Sequence, residues 1–429
     1  MMSPLRVGLA GLGVVGGGVV RALAERERLQ GRAGRAVVLT AVTARDRNKA
    51  RDLDLGNARW ESDPVALAKA PDIDVFVELI GGSDGVAKDA VEAALAAKKP
   101  VVTANKALLA KHGAHLARLA ESNGVQLAYE AAVAGGIPIV KGLREGLAAN
   151  GVRELHGILN GTCNYILTAM RESGRDFADI LAEAQALGYA EADPSFDIDG
   201  IDTAHKLAVL TAAAFGTEVG FDHVHVEGIR HIAAIDIEYA QELGFRIKLL
   251  GIARLTDHGI EQRVHPCMVP ITAPIAAAEG VFNAVVVDGD FVDKVLFVGR
   301  GAGAGPTASA VVADLVDVAR GRVTPTFGVP AEQLKKLTPA SIARRVGAYY
   351  LRLTVLDRPG VIADVAAALR DAGVSLESLL QRGRAPGEGV PVVLTTHETE
   401  ESRMTGAVSR IAALESVVEP PRLIRIEQF

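Results

Sequence analysis

Short apolar runs alternate with longer amphipathic stretches through the first third of the chain. Five short runs predict β-strands, at 5–10, 36–43, 74–80, 100–106 and 125–133. Between them, apolar residues recur every three or four positions, which predicts helices, among them 84–97 and 107–123. Strands that alternate with helices in this way are typical of a parallel sheet covered on both faces. We therefore expect an α/β fold that begins with a doubly wound domain over residues 1–134.

The pattern becomes less regular after residue 134. A strand is predicted over 152–159, followed by a turn and a helix start at 160–166. Further strands and one helix are predicted at 262–271, 282–290, 294–303 and 306–320. These elements indicate an α+β substrate domain over 135–300, and the segment of about 301–340 returns to the first domain. The glycine-rich turn in that segment either reaches the cofactor or is a flexible connector.

The last part of the chain, residues 347–429, forms a separate compact pattern. Its elements follow the order β-α-β-β-α-β, with helices at 361–372 and 400–413, and this order is ferredoxin-like. The unit contains no arrangement of a nucleophile and a base. A binding or regulatory role is therefore favoured over catalysis.

A glycine-rich turn follows the first predicted strand. Residues 11–16 read Gly-Leu-Gly-Val-Val-Gly, matching G-x-G-x-x-G between a strand and a helix. Gly11 permits the tight turn, Gly13 lets a pyrophosphate approach the backbone, and Gly16 seats the helix against the strand. The free N–H groups of the helix N-terminus then face the phosphates. This position in the chain predicts a dinucleotide site.

The turn after the second strand bears on the choice of cofactor. It reads Ala-Arg-Asp-Arg-Asn-Lys at 44–49. Arg45, together with Arg47 and Lys49, suits a 2′-phosphate, so NADP(H) is expected rather than NAD(H). Asp46, a carboxylate in the same turn, means that NAD(H) is still a possible cofactor. For Arg47 and Lys49 the alternative is that they belong to a solvated charged turn without a ligand.

An acidic loop, residues 191–202, carries five carboxylates and is followed by Lys206 on an apolar helix. Asp199 is predicted to cap that helix, with Asp202 in its first turn. Asp202 and Lys206 are four residues apart and share a face. A second lysine, Lys106, comes at the end of a predicted parallel strand, where ligands bind in such sheets. The alternative for both lysines is a structural or solvated role.

Composition excludes several classes of function. The net charge is −6 and no long basic run occurs, so nucleic-acid binding has no electrostatic footprint. The two cysteines form no metal-spaced or redox pair, which favours a reducing cytoplasm. No apolar run approaches the roughly 20 residues of a membrane-spanning helix, and no membrane partner is expected.

With these residues in view, the chain resembles the homoserine dehydrogenase family over nearly its full length. The resemblance is carried by GLGVVG at 11–16, TANKA at 103–107, EAAVAGGIPIV at 130–140, NGTCNYI at 160–166 and GYAEADPSFDIDGIDTAHK at 188–206. The tail from about 347 resembles an ACT domain, an amino-acid-sensing module, with Asp-Arg-Pro-Gly at 357–360 as its ligand loop. No kinase segment precedes the dinucleotide fold, so we expect the monofunctional form.

The resemblance implies a role for individual residues. It assigns to the cofactor Gly13, Val14, Val15, Gly82, Ser83, Lys106 and Gly303, in addition to Gly11, Gly16 and Arg45. Glu191 is expected to hold the substrate ammonium, and Asp197 and Asp202 complete the polar pocket. Lys206 is the expected proton-transfer residue, with Lys106 across the reacting centre. A monovalent cation such as Na⁺ is expected on the main-chain carbonyls of Glu130, Val133, Gly135 and Ile137.

The implied activity is the NAD(P)-dependent interconversion of L-homoserine and L-aspartate 4-semialdehyde, in threonine, methionine and isoleucine biosynthesis. Two alternatives stay open: an amino-acid sensor that has lost catalysis, and a relative that acts on another small amino acid. Threonine is the expected effector of the tail, and deletion from about 347 should then abolish inhibition while sparing most activity. The alternative is a purely structural or dimerising tail. A homodimer or homotetramer is expected in either case.

Overall fold

The computed structural model describes residues 3–382 and 388–429. The first sheet has six parallel strands, β1 to β6: Leu5–Ala10, Val37–Thr43, Arg59–Trp60, Val75–Glu78, Val101–Thr103 and Leu127–Ala128. The helices α1 to α5 in this part are Val14–Leu23, Arg26–Ala33, Pro64–Lys69, Val86–Ala96 and Lys106–Ser122. The strand order is β3-β2-β1-β4-β5-β6. This is the doubly wound order, in which ligands bind where the strand order reverses, at the carboxyl ends of β1 and β4.

The second part of the chain contributes helices α6 to α12: Ile139–Lys141, Gly161–Ser173, Phe177–Ala186, Ser195–Ile198, Ile201–Phe215, Ala234–Glu242 and Ala304–Ala319. Its strands, β7 to β12, are Val152–Ile158, His225–Val226, Phe245–Thr256, Gly259–Pro270, Phe282–Gly289 and Asp293–Arg300. Helix α12 returns to the first sheet and packs on α1. A Cβ on Gly18 of α1 would lie 2.3 Å from the carbonyl oxygen of Ala304, so glycine allows this close approach.

The C-terminal part contains strands β13 to β17: Val346–Leu356, Leu376–Gln381, Gly389–Thr396, Thr399–Glu400 and Arg422–Ile426. Its helices, α13 and α14, are Val361–Asp371 and Glu401–Ala412. Strand β17 pairs with β13 in the antiparallel direction and with β10 of the second part in the parallel direction. One 11-stranded sheet therefore runs through both parts, in the order β12-β11-β7-β9-β10-β17-β13-β15-β14, with β8 on β10 and β16 on β13.

Three local predictions differ from the structure. Helix α10 begins at Ile201 with Gly200 as its N-cap at φ +86°, so the prediction that Asp199 caps this helix is wrong. The predicted strand over 125–133 is reduced to the two residues of β6, followed by a 3₁₀ turn, Glu130–Ala132. Strand β9 was not predicted, because its long apolar run lacks clear alternation. Among the described residues, no helix has the length and apolarity to cross a membrane. Cys163 and Cys267 are free and buried.

Candidate active site

The turn between β1 and α1 has the geometry of a phosphate-binding turn. Gly11 has φ +106°, and a Cβ there would lie 2.4 Å from the carbonyl oxygen of Leu79. A Cβ on Gly16 would lie 2.1 Å from the carbonyl oxygen of Gly11. Gly13, by contrast, faces open space and precedes the first residue of α1. The turn is therefore closed by two glycines, and the third leaves room beside the helix N-terminus for a pyrophosphate.

The loop after β4 is organised by a buried carboxylate, Glu78. Its Oε1 accepts hydrogen bonds from the backbone N–H groups of Ile80, at 2.7 Å, and Gly81, at 2.9 Å. Its Oε2 accepts from the Thr103 hydroxyl at 2.6 Å. Glu78, Val15 and Asn105 help line a cavity of about 130 Å³ at the carboxyl ends of β4 and β5. Glu78 thus shapes the wall of the nucleotide crevice, a role that sequence reasoning missed.

Other predicted cofactor residues lie on the loop after β4 and at the starts of α1 and α12. The carbonyl of Gly82 accepts from Asn105 Nδ2 at 2.7 Å, and the Ser83 hydroxyl donates to Asp84 at 2.8 Å. Gly303, at φ +120°, is the N-cap of α12, which packs on α1. Val14 is the first residue of α1 and is 72% exposed.

The turn after β2 presents its basic side chains to solvent. Arg45 is exposed, and Arg47 lies over the Trp60 ring at 5.6 Å. Arg51, which sequence reasoning did not single out, donates from Nε to the carbonyl of Leu12 in the glycine-rich turn at 3.2 Å. It also donates to the carbonyls of Asp46 and Lys49. Arg51 therefore ties the basic turn to the phosphate-binding turn and leaves Arg45 exposed at the rim.

The acidic loop and α10 bring a lysine and an aspartate together inside the second part of the chain. Lys206 Nζ donates to Asp202 Oδ2 and to the carbonyl of Leu159, both at 2.7 Å. Asn160 Nδ2 donates to Asp202 Oδ2 and to Asp197 Oδ1, both at 2.8 Å. Asn160 also caps α7, since its Oδ1 accepts from the backbone N–H of Cys163. The end of β7 therefore aligns both carboxylates with Lys206.

Lys106 joins this cluster from the first sheet. It is the first residue of α5, which begins soon after β5 ends at Thr103, and its Nζ lies 3.0 Å from Asp202 Oδ1. Its ammonium also lies over the Phe196 ring at 5.7 Å. One oxygen of Asp202 thus faces Lys106 and the other faces Lys206. The cluster stands at the edge of the nucleotide crevice, since Asn105, next to Lys106, lines the cavity there.

The pKa values of the two carboxylates in the cluster, Asp202 and Asp197, are shifted in opposite directions. Burial would raise the pKa of Asp202, but the charges of Lys206 and Lys106 outweigh it and hold this pKa below its ordinary value. Burial and the charge of Asp202 raise the pKa of Asp197, against the hydrogen bond from Asn160. The pKa of Asp202 therefore lies below the ordinary value for an aspartate, and the pKa of Asp197 lies above it.

Two predicted features of the acidic loop lie elsewhere. Glu191 is exposed, and in the described part of the chain no hydrogen bond or ion pair joins its carboxylate to the lysine cluster. Its backbone carbonyl accepts from Gln185 Nε2 at 3.0 Å. Asp199 pairs with Arg230, whose Nη2 lies 3.0 Å from Asp199 Oδ2 and 2.9 Å from the Ser195 hydroxyl. Arg230 is distant in sequence, so local patterns carried no signal for it.

The segment expected to hold a cation lies at the joint between the two sheets. Glu130 is buried, and its carboxylate accepts from the backbone N–H groups of Val140 and Lys141 at 2.9 and 2.8 Å. Ala134 has φ +51°, which curves the backbone between Val133 and Gly135. The carbonyl of Ile137 accepts from Ile139 N at 2.8 Å, which leaves its second lone pair for another partner. A buried, curved backbone rich in carbonyls suits a hard cation.

Comparison with known proteins identifies the family. A model of the homoserine dehydrogenase NAD-binding domain matches residues 11–130, a homoserine dehydrogenase model matches 138–316, and an ACT domain model matches 349–416. Homoserine dehydrogenase from Neisseria gonorrhoeae is 46% identical over 435 residues, covering 100% of both chains. The chain belongs to the homoserine dehydrogenase family. It is an oxidoreductase that acts on a CH–OH group.

Solved homoserine dehydrogenases have the same fold. The enzyme from Thiobacillus denitrificans superposes with a TM-score of 0.94 at 46% identity, over 99% of both chains. A hyperthermophilic archaeal homoserine dehydrogenase in complex with NADPH superposes with a TM-score of 0.64 at 25% identity, over 75% of this chain and 100% of that chain. These matches confirm the sequence-based prediction of a Rossmann-type nucleotide domain, a catalytic domain and an ACT domain.

Proposed function

We propose that Lys206 transfers the proton when this enzyme interconverts L-homoserine and L-aspartate 4-semialdehyde. The observation that carries the proposal is that Asp202 lies between two lysine ammonium groups, Lys206 at 2.7 Å and Lys106 at 3.0 Å. One lysine belongs to the nucleotide part and the other to the catalytic part. An aldehyde that binds beside Asp202 can therefore be approached by a cationic donor from each part.

The chemistry at the aldehyde requires such donors. When bound, the nicotinamide supplies or accepts the hydride. As the aldehyde is reduced, negative charge builds on its oxygen, and a positioned ammonium both stabilises that charge and donates a proton to it. Lys206 donates from Nζ, and Asp202 together with the carbonyl of Leu159 fixes the direction of this side chain. Lys106 stabilises the charge from the other side.

The substrate ammonium is proposed to bind to the carboxylates of the acidic loop. Asp197 is in place beside Asn160, and Glu191 stands exposed at the rim of the same loop. We propose that Glu191 contacts the ammonium only after substrate enters, since no ion pair in the described part of the chain holds its carboxylate elsewhere. Glu191→Gln should then raise the KM for homoserine, whereas Glu172→Gln, on exposed α7 surface, should leave it unchanged.

The first test is the initial rate of L-aspartate 4-semialdehyde reduction, followed by nicotinamide absorbance. Wild type and Lys206→Ala are compared, each with NADPH and with NADH. Robust turnover that falls by several orders of magnitude in the variant supports the assignment of Lys206. Turnover that survives would move the proton donor elsewhere, first to Lys106. If the wild-type protein is inactive with both cofactors, the result favours the alternative hypothesis of an amino-acid sensor that has lost catalysis.

We propose NADP(H) as the preferred cofactor. Arg45 is exposed at the end of β2, next to the turn that Arg51 ties to the carbonyl of Leu12. A guanidinium at this position suits a 2′-phosphate, and the archaeal relative was solved with NADPH. Arg45→Ala should raise the KM for NADPH at least tenfold and leave the KM for NADH nearly unchanged. Equal effects on both cofactors would contradict a contact with the 2′-phosphate.

We propose that Glu130, Val133, Gly135 and Ile137 offer carbonyls to a monovalent cation such as Na⁺. The buried curve of the backbone at Ala134 supports this arrangement. A bound cation stabilises the folded state, so the melting temperature should rise with NaCl more than with choline chloride at equal ionic strength. Ala134→Gly, which loosens the curve, should reduce that difference. An equal response to both salts would argue against the site.

We propose that threonine inhibits the enzyme through the ACT domain, within the biosynthesis of threonine, methionine and isoleucine. The support is the continuous sheet, because β17 joins the ACT strands to the catalytic strand β10. Asp357→Asn, in the expected ligand loop, should raise the threonine concentration needed for half-inhibition without changing uninhibited turnover. If threonine does not inhibit the wild-type enzyme, the result favours a purely structural role for the C-terminal tail.

We propose that the enzyme is a homodimer or homotetramer. Strand β12 is an outer strand of the large sheet and exposes apolar residues, with Val298 52% and Leu296 37% exposed. An open apolar edge favours pairing with another copy. Light scattering after chromatography should give a multiple of 44.8 kDa for wild type and a smaller mass for Val298→Lys. Val418→Lys, elsewhere on the surface, is the matched control.

A further inference from the structure

A short segment, residues 227–230, holds the acidic loop from outside, and we call it the bracing segment. Ile229 N donates to the carbonyl of Ile198 at 2.9 Å. A Cβ on Gly228 would lie 2.3 Å from that same oxygen, so the two backbones are in close contact. Arg230 adds the side-chain bonds to Asp199 and Ser195 described above. Helix α9, which carries Asp197, is therefore held at its carboxyl end by the bracing segment.

The first residue of the bracing segment is bound to the C-terminal strand. The two carboxylate oxygens of Glu227 accept from Nη1 and Nη2 of Arg425 on β17, both at 2.8 Å. This paired geometry is the most directional form of an ion pair. Arg425 is 5% exposed and also bonds Glu401 of α14. Glu227 thus links the C-terminal domain to the bracing segment, and its Oε1 also lies 2.7 Å from His225 Nε2.

The inner side of α9 also has hydrogen-bond partners. Asp197 Oδ1 accepts from Asn160, and the backbone carbonyl of Asp197 accepts from the Cys163 thiol at 3.3 Å. Helix α9 has only four residues, so its position is defined by these neighbours rather than by its own hydrogen bonds. A displacement of the bracing segment moves Asp197 relative to Asn160.

We propose that the ion pair between Glu227 and Arg425 positions Asp197 for substrate binding and couples the C-terminal domain to the homoserine pocket. Glu227 is a positioning residue, because it acts through Gly228, Ile229 and the backbone of Ile198 rather than on the substrate. The inference rests on the proposed role of Asp197 in holding the substrate ammonium.

A second buried ion pair between the same two parts of the chain serves as a matched control. Arg352 of β13 donates from Nε to Asp236 Oδ1 at 2.6 Å and from Nη2 to Oδ2 at 3.1 Å. Asp236 is fully buried on α11 and also accepts from the Tyr350 hydroxyl. Its removal likewise takes away a buried ion pair between these two parts of the chain. The described contacts of Asp236, however, do not reach the acidic loop.

The experiment measures kcat and KM for homoserine and for NADP⁺ in the full-length Glu227→Ala, Glu227→Gln, Asp236→Ala and Asp197→Asn variants. We expect Glu227→Ala to raise the KM for homoserine at least fivefold, with the KM for NADP⁺ within twofold of wild type. Glu227→Gln should give a smaller rise, because its amide oxygen keeps one hydrogen bond to Arg425. Asp236→Ala should leave both KM values within twofold, even with a lower melting temperature.

Two outcomes overturn the inference. In the first, Asp197→Asn raises the KM for homoserine while Glu227→Ala leaves it unchanged; Asp197 then binds substrate without help from the ion pair. In the second, Glu227→Ala and Asp236→Ala raise that KM equally, so the effect reflects loosened domain contact in general. If Asp197→Asn itself has no effect, the proposed pocket fails, a result distinct from both. Should Glu227→Ala not fold, the comparison of Glu227→Gln with Asp236→Ala decides.

Discussion

Lys206 and Asp202 lie one turn apart on α10, and the Nζ of one is 2.7 Å from the Oδ2 of the other, with both residues buried. Residues four apart on a helix share a face, so the backbone itself brings the pair together. Two lysines depend on this one carboxylate, since Lys106 approaches its second oxygen. Loss of its charge would leave two ammonium groups facing each other across a neutral side chain.

Asp202→Asn should therefore lower kcat/KM by roughly 100-fold, because the direction of the Lys206 ammonium is no longer fixed. Removing one partner from a buried ion pair also destabilises a protein by about 3–5 kcal/mol, so the melting temperature should fall. Steady-state kinetics and thermal unfolding check the two effects. Asp236→Asn, a buried carboxylate paired with Arg352 away from the cluster, is the control for stability alone. A kcat/KM within threefold of wild type in Asp202→Asn would contradict the expectation.

The KM for homoserine should rise as the pH falls. Burial and the charge of Asp202 raise the pKa of Asp197, so this carboxylate takes up a proton at a higher pH than an ordinary aspartate. The protonated form no longer attracts the substrate ammonium, whereas the ionised form does. Wild type and Asp197→Asn are compared by the pH profile of KM below neutrality. The variant should have a high KM that does not change with pH, and a parallel rise in both proteins would point to another group.

A buried lysine outside the active site should make stability depend on alkaline pH. Burial lowers the pKa of Lys248 to about 8, below its ordinary value, so between pH 8 and about 10.4 the unfolded chain binds the proton more strongly. The free energy of unfolding should then increase with pH, by about 2 kcal/mol between pH 8 and 10. Urea unfolding of wild type and Lys248→Met measures this: the gain should vanish in Lys248→Met and persist in the exposed Lys49→Met. If the free energy of unfolding still increases with pH by the same amount in Lys248→Met, the pH dependence does not arise from Lys248.

Removal of the C-terminal domain should be more damaging than the sequence suggests. A chain that ends at residue 346 loses β17, so one edge of β10 is left without its partner strand. It also loses Glu427, which pairs with the completely buried Arg263 at 2.9 Å. We expect a lower melting temperature and a loss of soluble protein, measured by thermal unfolding and by sedimentation, with full-length Asp357→Asn as the control. Full stability and activity in the truncated chain would restore the expectation of an independent regulatory tail.

Local sequence patterns predicted five of the six strands of the nucleotide-binding part and missed the two-residue strand β3. Its strands are short apolar runs between helices, and Gly11, Gly13 and Gly16 occupy one continuous turn. Lys106 could be placed at the ligand edge because it directly follows a parallel strand. The pairing of Asp202 with Lys206 follows from their spacing of four residues on one helix.

The rest of the site depends on contacts between distant segments. Asn160 meets Asp197 and Asp202 only after β7 and α10 have packed together, and Arg230 reaches Asp199 from 31 positions along the chain. Gly200, rather than Asp199, caps α10, and the carboxylate of Asp199 pairs with that arginine instead. A pattern of apolar and polar positions describes one segment at a time, so it has no information about such pairs.

The order of strands in the large sheet determines when, during synthesis, this sheet can be completed. Strand β10 ends at Pro270, whereas its neighbour β17 begins at Arg422, close to the C-terminus. At roughly 5–20 residues per second, a ribosome needs many seconds to make the chain between them. An interior strand of the sheet is thus made long after its neighbour, and residues Cys267 and Met268 of β10 have no partner strand until β17 is in place. The catalytic part can therefore complete its sheet only after the C-terminal part has been made.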